Sequence, residues 1–392
     1  KMLRRSLKSI SRKNKQIIKI TTTITKLSHL TFDSALFYKN IKMKKIIISL
    51  LILLFSNSIC LCQKADSILN NAIYLIDKGE LVEAENKIKQ AISEGIDTLP
   101  LHYELAWIYY IMTDYDKAIE TLTPLCQRAE VTPDVYQLLG NAYDEKGQFN
   151  SAITQYDKGL KKFPNAGCLY LEKGNISYKN NRYEDAFFYY EKGIESDPEY
   201  ASNYYRASLL FFASTEMVWG AMYGEIFMNL EQHSQERYKE MSETLYNCYF
   251  DQIKFNNRKA EVDFNNPVIV YSNSGERPNL FPESFRSAMT KAAKGYRFLD
   301  LNTLVQIRKK FINEFYANFS DFNNVLFDYH KKIIEAGHFE AYNYWLFAYG
   351  NNAQANKWVK ENKGKWDSFL KWKKENPIKI TQENVFSRYT ME

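Results

Sequence analysis

Between about Asp66 and Tyr200, small and bulky apolar residues fall into paired helical stripes that recur every 34 residues. Ala84, Ala118, Ala152 and Ala186 mark the period. Twelve positions ahead of each stands a small residue (Ala72, Ala106, Gly140, Gly174), and four positions behind each a bulky one (Ile88, Leu122, Tyr156, Tyr190). Counted from Pro133, one unit puts Tyr136, Leu139, Gly140 and Tyr143 at positions 4, 7, 8 and 11, one face of a first helix. Ala152, Tyr156 and Gly159 at 20, 24 and 27 share a face of a second helix. Small residues at 8 and 20 let the two backbones approach, and aromatics at 11, 17 and 24 fill the space between neighbouring units. A bulky residue at Ala152 would overpack that contact at a cost of about 1–3 kcal/mol. Gly79 and Gly147 supply a turn conformation that most residues avoid. Pro164 and Pro198 close two of the units.

This pattern resembles the tetratricopeptide repeat family. The unit from Pro133 matches position for position, except that Tyr136 stands where Trp is usual. The unit from Gly167 has Ser177 at position 11, the unit from Leu99 lacks the closing proline, and the first is aliphatic (Leu75, Leu81, Ile88), which suits a terminal repeat. The resemblance implies an all-α protein, an α-solenoid superhelix over 63–235. Its four clear repeats are 65–98, 99–132, 133–166 and 167–200. A divergent fifth, 201–235, keeps the small positions as Ser208, Gly220 and Gly224. Further on, Tyr238, Met241, Leu245 and Tyr249 at helical spacing predict a capping helix over 236–253. Residues 254–282, rich in Asn, Pro and Gly with one β-favouring run (Val268 to Tyr271), read as a connecting segment. Residues 283–392 read as a C-terminal helical region without the 34-residue phase, with Ser320 as an N-cap and Gly337 as a terminator.

Charge changes the picture at the N-terminus. Residues 1–45 hold 13 Lys and Arg against one acid, Asp33, so a chain of net +6 carries −6 from residue 46 onward. That excludes reading the folded part as a nucleic-acid binder. Met43-Lys44-Lys45, the apolar run from Ile46 to Phe55 and a short segment to Cys62 have the parts of a secretory signal peptide. The expectation is initiation at Met43, a non-native upstream segment over 1–42, a signal peptide over 43–62 and export across the inner membrane to the periplasm or outer membrane. The cut after Cys62 resembles processing in exported proteins of Bacteroidetes-like bacteria. The alternatives are an uncleaved anchor over 46–62 and lipidation at Cys60 or Cys62. Cys126, Cys168 and Cys248, an odd and widely spaced set, are not a disulfide framework.

The resemblance also implies where a partner binds: first-helix positions 2, 5, 9 and 12 line a concave groove that receives extended peptides. On this chain these are Tyr103, Trp107 and Tyr110; Gln137, Asn141 and Asp144; Leu171, Asn175 and Tyr178; and Tyr205. Asparagines can hold a backbone while the aromatics anchor side chains; the competing reading packs these aromatics against neighbouring helices. The basic clamp that some members use for a terminal carboxylate is replaced by Gln137, Glu172 and Ser202, with only Arg206 kept, so the groove is neutral to acidic. No HExxH, Gly-rich phosphate loop or GxSxG is present. His330, Glu335 and His338 stand near one helix end, but Gly337 interrupts the helix between the histidines. Trp358, Trp366 and Trp372 at helical spacing suit a core better than a sugar-stacking surface. The expected function is a non-catalytic, cofactor-free, metal-free scaffold or assembly factor of the cell envelope holding a protein or peptide. The alternatives are an enzymatic or glycan-binding C-terminal region presented by the repeats, and end-to-end self-association.

Overall fold

The computed structural model describes residues 63–231, 234–256, 259–264 and 281–391. The expected upstream segment, the signal peptide and the 268–271 run lie outside them. Five helix pairs come first: α1 (63–77) with α2 (Leu81–Ser93), α3 (Leu99–Ile111) with α4 (Tyr115–Leu122), α5 (Pro133–Glu145) with α6 (Phe149–Lys162), α7 (Gly167–Lys179) with α8 (Tyr183–Ser196), and α9 (Ala201–Phe212) with α10 (Met217–Leu230). The small residues do what their spacing predicts. A methyl group on Gly140 would run into the Tyr156 ring, and one on Gly174 into the Tyr190 ring. The turn within each of the first four pairs needs one residue in the left-handed region: Gly79 (φ 78°), Thr113 (φ 59°), Gly147 (φ 72°) and Asn181 (φ 58°), again 34 apart. Successive first helices pack on one another while successive second helices stand further apart, so the array curves with its first helices on the inside.

Helix α11 (Gln235–Gln252), capped by Ser234, covers the last repeat. It stands where a sixth first helix would. Arg237 reaches Ser202 and Tyr205 reaches Glu240, each 35 residues apart, as Gln137 reaches Glu172 and Lys179 reaches Asp144 inside the array. Over the start of the expected connecting segment an antiparallel pair forms, β1 (Ile253–Asn256) on β2 (Lys259–Val262), outside the β-favouring run picked out in the sequence. Ile253 and Val262 face each other and are buried, anchoring the pair to the core.

Six further helices follow: α12 (Phe281–Ala293), α13 (Leu301–Asn318), α14 (Val325–Glu335), α15 (Phe339–Leu346), α16 (Asn352–Glu361) and α17 (Lys363–Glu375). Ser320 is not an N-cap. It opens a short 3-10 turn, and Asn324, whose extended backbone frees its side chain to accept from the Phe327 amide, caps α14 instead. Gly337, at φ 76°, ends α14. The C-terminal helices do not form a separate body. Their apolar faces merge with α8–α11 into one core around Trp219, Tyr223, Phe281, Phe315 and Tyr342, and Trp358, Trp366 and Trp372 pack into or against it.

Candidate functional site

The inner face is built from the first helices. Trp107 and Tyr110, one turn apart on α3, stack with ring centroids 5.5 Å apart at 11°, and Trp107 remains 36% exposed. On α7, Tyr178 is 51% exposed and meets Tyr183 edge-on. Between them the groove asparagines are fixed by the second helices: Tyr156 donates to Asn141 Oδ1 at 2.6 Å, and Tyr190 to Asn175 Oδ1 at 3.0 Å. A tyrosine at position 24 thus orients an asparagine at position 9 in two consecutive repeats. Asn175 Nδ2 donates onward to Glu172 at 2.9 Å, and Gln137 Nε2 donates to the other Glu172 oxygen at 2.7 Å. Asp144 is held by Lys179 at 2.6 Å.

Two expected groove residues are elsewhere. Tyr205 is 7% exposed, packed on Phe227 under α11 and bonded to Glu240, so the helix that ends the array also closes its fifth groove position. Leu171 is 8% exposed and belongs to the C-terminal core. Tyr103 is half-buried, and burial drives its hydroxyl pKa well up. Burial, followed by the charge of Asp77, pushes the neighbouring Glu104 carboxyl up to about 7. Beside Asp134 and Gln137 a pocket of about 440 Å³ opens, lined further by Phe163, Cys168, Asp197 and Tyr200. Cys126 and Cys168 are half-buried, Cys248 is buried, and all three are free thiols.

The outer, second-helix side of the last two repeats is already covered. Residues 377–391 run back over it, and Arg388 forms a fork on Glu191 (0% exposed) at 2.7–3.0 Å, its guanidinium 4.9 Å from the Phe211 ring. Tyr223 donates to the same carboxylate at 2.6 Å and accepts from the Arg388 amide. Sequence reading missed this contact, since nothing in a 15-residue irregular tail announces a partner nearly 200 positions away.

It also missed a polar cluster inside the C-terminal core. Glu225 on α10 accepts from Arg308 through both oxygens (2.5 and 2.6 Å), from His330 Nε2 at 2.7 Å and from the Tyr342 hydroxyl at 2.8 Å. Burial is the largest single influence and raises the Glu225 carboxyl, but the charges of Arg308 and His330 and the hydrogen bonds from both together bring the group down to about 2. Burial lowers the His330 pKa, and Nδ1 of that ring has no hydrogen-bond partner among the described residues. His330 is therefore tied to Glu225 and not to His338, which packs against Phe369 and Trp372. A lone acid in the apolar run Met217–Leu230 was the available signal.

The family described as tetratricopeptide repeat matches residues 99–125, 133–164 and 169–200, which are the second, third and fourth helix pairs. These are tetratricopeptide repeats. Among similar proteins, human protein O-mannosyl-transferase TMTC1 is 25% identical over 125 residues, 31% of this chain and 14% of that protein. Small glutamine-rich tetratricopeptide repeat-containing protein 2 of Mycosarcoma maydis is 31% identical over 85 residues, 22% of this chain and 24% of that protein. The chain thus spans less than a quarter of the length of either relative. A solved tetratricopeptide protein of Thermus thermophilus, TTC0263, is 14% identical with a TM-score of 0.39, covering 46% of this chain and 98% of that one. Tetratricopeptide repeats generally mediate protein–protein contacts and typically form non-catalytic scaffolds.

Proposed function

We propose that this protein is a non-catalytic scaffold of the cell envelope that holds an extended segment of a partner protein on the inner face of repeats two to four. The observation that carries the reading is the exposed Trp107–Tyr110 stack, which shares that face with Asn141 and Asn175, both held by tyrosines at 2.6 and 3.0 Å. Asn141 has its oxygen occupied by Tyr156, which leaves its amide N–H groups to meet a peptide carbonyl. Trp and Tyr anchors of this kind dominate binding energy where a partner covers them. Export rests on the sequence of residues 43–62.

The test is crosslinking in the native cell, capture of the chain, and mass spectrometry of its partners and of its own N-terminus. Trp107→Ala with Tyr178→Ala removes two exposed rings and leaves the core intact, so circular dichroism should be unchanged while the captured partner is lost. A partner kept at full yield by this double variant refutes the groove. An N-terminus within 1–42 refutes export by cleavage.

A further inference from the structure

The carboxylates of the inner face are distributed along it and not clustered at one end. Asp134 stands at position 2 of its repeat, Glu104 and Glu172 at position 6, Asp144 at 12 and Glu145 at 13, one helical stripe shared by three repeats. The groove tyrosines sense this field. Burial is the main cause of the raised hydroxyl pKa of Tyr103, Tyr110 and Tyr156, and nearby carboxylates add to it: Asp134 and Glu104 at Tyr103, and Glu145, Glu172 and Asp144 at the other two. Opposing them are Lys179, already spent on Asp144, Arg206 at the far end of the face, and Lys162, which lines the pocket beside Asp134 together with a second carboxylate there, Asp197. The Asp134 and Glu145 carboxylates make no hydrogen bond or ion pair among the described residues. The pocket beside Asp134 is wide enough for a long side chain and is walled by Tyr200 and Phe163. The open face of the Trp107–Tyr110 stack offers a cation a second favourable surface.

From this charge complementarity we infer that the segment held in the groove is cationic: an extended stretch of polypeptide bearing lysine or arginine, its backbone on Asn141 and its charged ends on Asp134, Glu145 and Glu172. The inference rests on the groove reading above and goes beyond it by naming the ligand's chemistry. It is the reverse of a carboxylate clamp, whose basic positions Gln137, Glu172 and Ser202 occupy here.

The experiment is fluorescence anisotropy on the full chain with three labelled peptides of one length, alternating alanine with lysine, glutamine or glutamate. The lysine peptide should bind tightest and the glutamate peptide not at all, and lysine binding should fall as salt rises. Asp134→Asn, Glu145→Gln and Glu172→Gln together should weaken it about tenfold, since exposed and partly exposed ion pairs each contribute little. Glu120→Gln, Glu184→Gln and Glu199→Gln remove the same charge from exposed positions off this face and should leave binding unchanged. Equal binding of the lysine and glutamine peptides overturns the cationic ligand while leaving the groove reading standing. Equal losses in the two triple variants overturn it as well, since only net charge would then matter. If no peptide binds and the Trp107→Ala, Tyr178→Ala variant keeps its cellular partner, groove and ligand fall together.

Discussion

Arg308→Met tests whether the buried polar cluster joins the repeats to the C-terminal helices. Arg308 and Glu225 have side chains 3% and 2% exposed, and the guanidinium lies 5.2 Å from both the Tyr249 and Phe347 rings. Methionine keeps most of the packed volume but removes the cation, leaving Glu225 ionised in the core with only His330 and Tyr342 to answer it. Breaking a buried pair from one side costs about 3–5 kcal/mol, because the surviving charge has lost its compensation. Removing Glu225 as well, as Glu225→Leu with Arg308→Met, deletes that charge, and what remains is the loss of an acceptor for His330 and Tyr342, about 1–3 kcal/mol each. The double variant should therefore cost less than the two single variants summed, with a coupling of about 2 kcal/mol or more. Urea unfolding reads this well, because five of the six tryptophans lie in or against this core and only Trp107 is outside it. In Arg308→Met the fluorescence transition should move to lower urea ahead of the helical signal from the first repeats. A cost under about 1 kcal/mol, or strict additivity, would refute the argument.

Four further outcomes are expected. Gly140→Ala should destabilise by about 1–3 kcal/mol in urea melts, since its methyl meets the Tyr156 ring inside the repeat. Thr113→Gly should stabilise by up to about 1 kcal/mol by the same measurement, the relief of a left-handed β-branched residue outweighing the entropy added to the unfolded chain. Arg388→Ala strands the fully buried Glu191 and should cost about 3 kcal/mol, read as faster protease cleavage of residues 377–391. Stability should fall on the acid side. The depressed His330 contributes fully above its free value of 6.5 and loses that contribution as pH drops below it, and Glu225 loses its own between 4.5 and about 2. His330→Gln should remove the first of these declines in melts across pH.

The repeats were legible because their information is local and redundant. Each small residue answers a bulky one within about 16 positions, and the period restates it four times, so even Thr113 and Asn181 could be placed in turns once Gly79 and Gly147 were seen. The groove was half legible: positions 2, 5, 9 and 12 follow from the resemblance to the tetratricopeptide family, but whether a position stays open depends on what arrives later in the chain. Tyr205 meets the groove criteria and is nonetheless covered, by a helix thirty residues on that carries no repeat motif. Ser320 failed as a cap because Asn324, four residues on, holds the extended backbone that capping needs. The Glu225 cluster, Arg388 and the hairpin rest on pairings that no period encodes; only the oddity of one acid among apolar neighbours pointed to any of them.

These long-range contacts decide which surface is left for function. The tail closes the outer side of repeats four and five through Arg388, and α11 closes the inner side of repeat five through Arg237 and Glu240. The Glu225 cluster then fixes the C-terminal helices to α10, so the last repeat is held in the core on both sides. Solenoid ends are apolar faces that need covering, and here one end is covered by α11 and the C-terminal helices of the same chain. Among the described residues the inner face of repeats two to four stays accessible, and there the aromatic stack, the oriented asparagines and the carboxylate stripe coincide. In the groove reading proposed above, the C-terminal region would aid binding by holding one end of the array in a single curvature, which lowers the ordering cost of docking an extended segment. Under that reasoning Arg308→Met, although its site is remote from the groove, should weaken capture of the partner at urea concentrations where the repeats themselves remain helical.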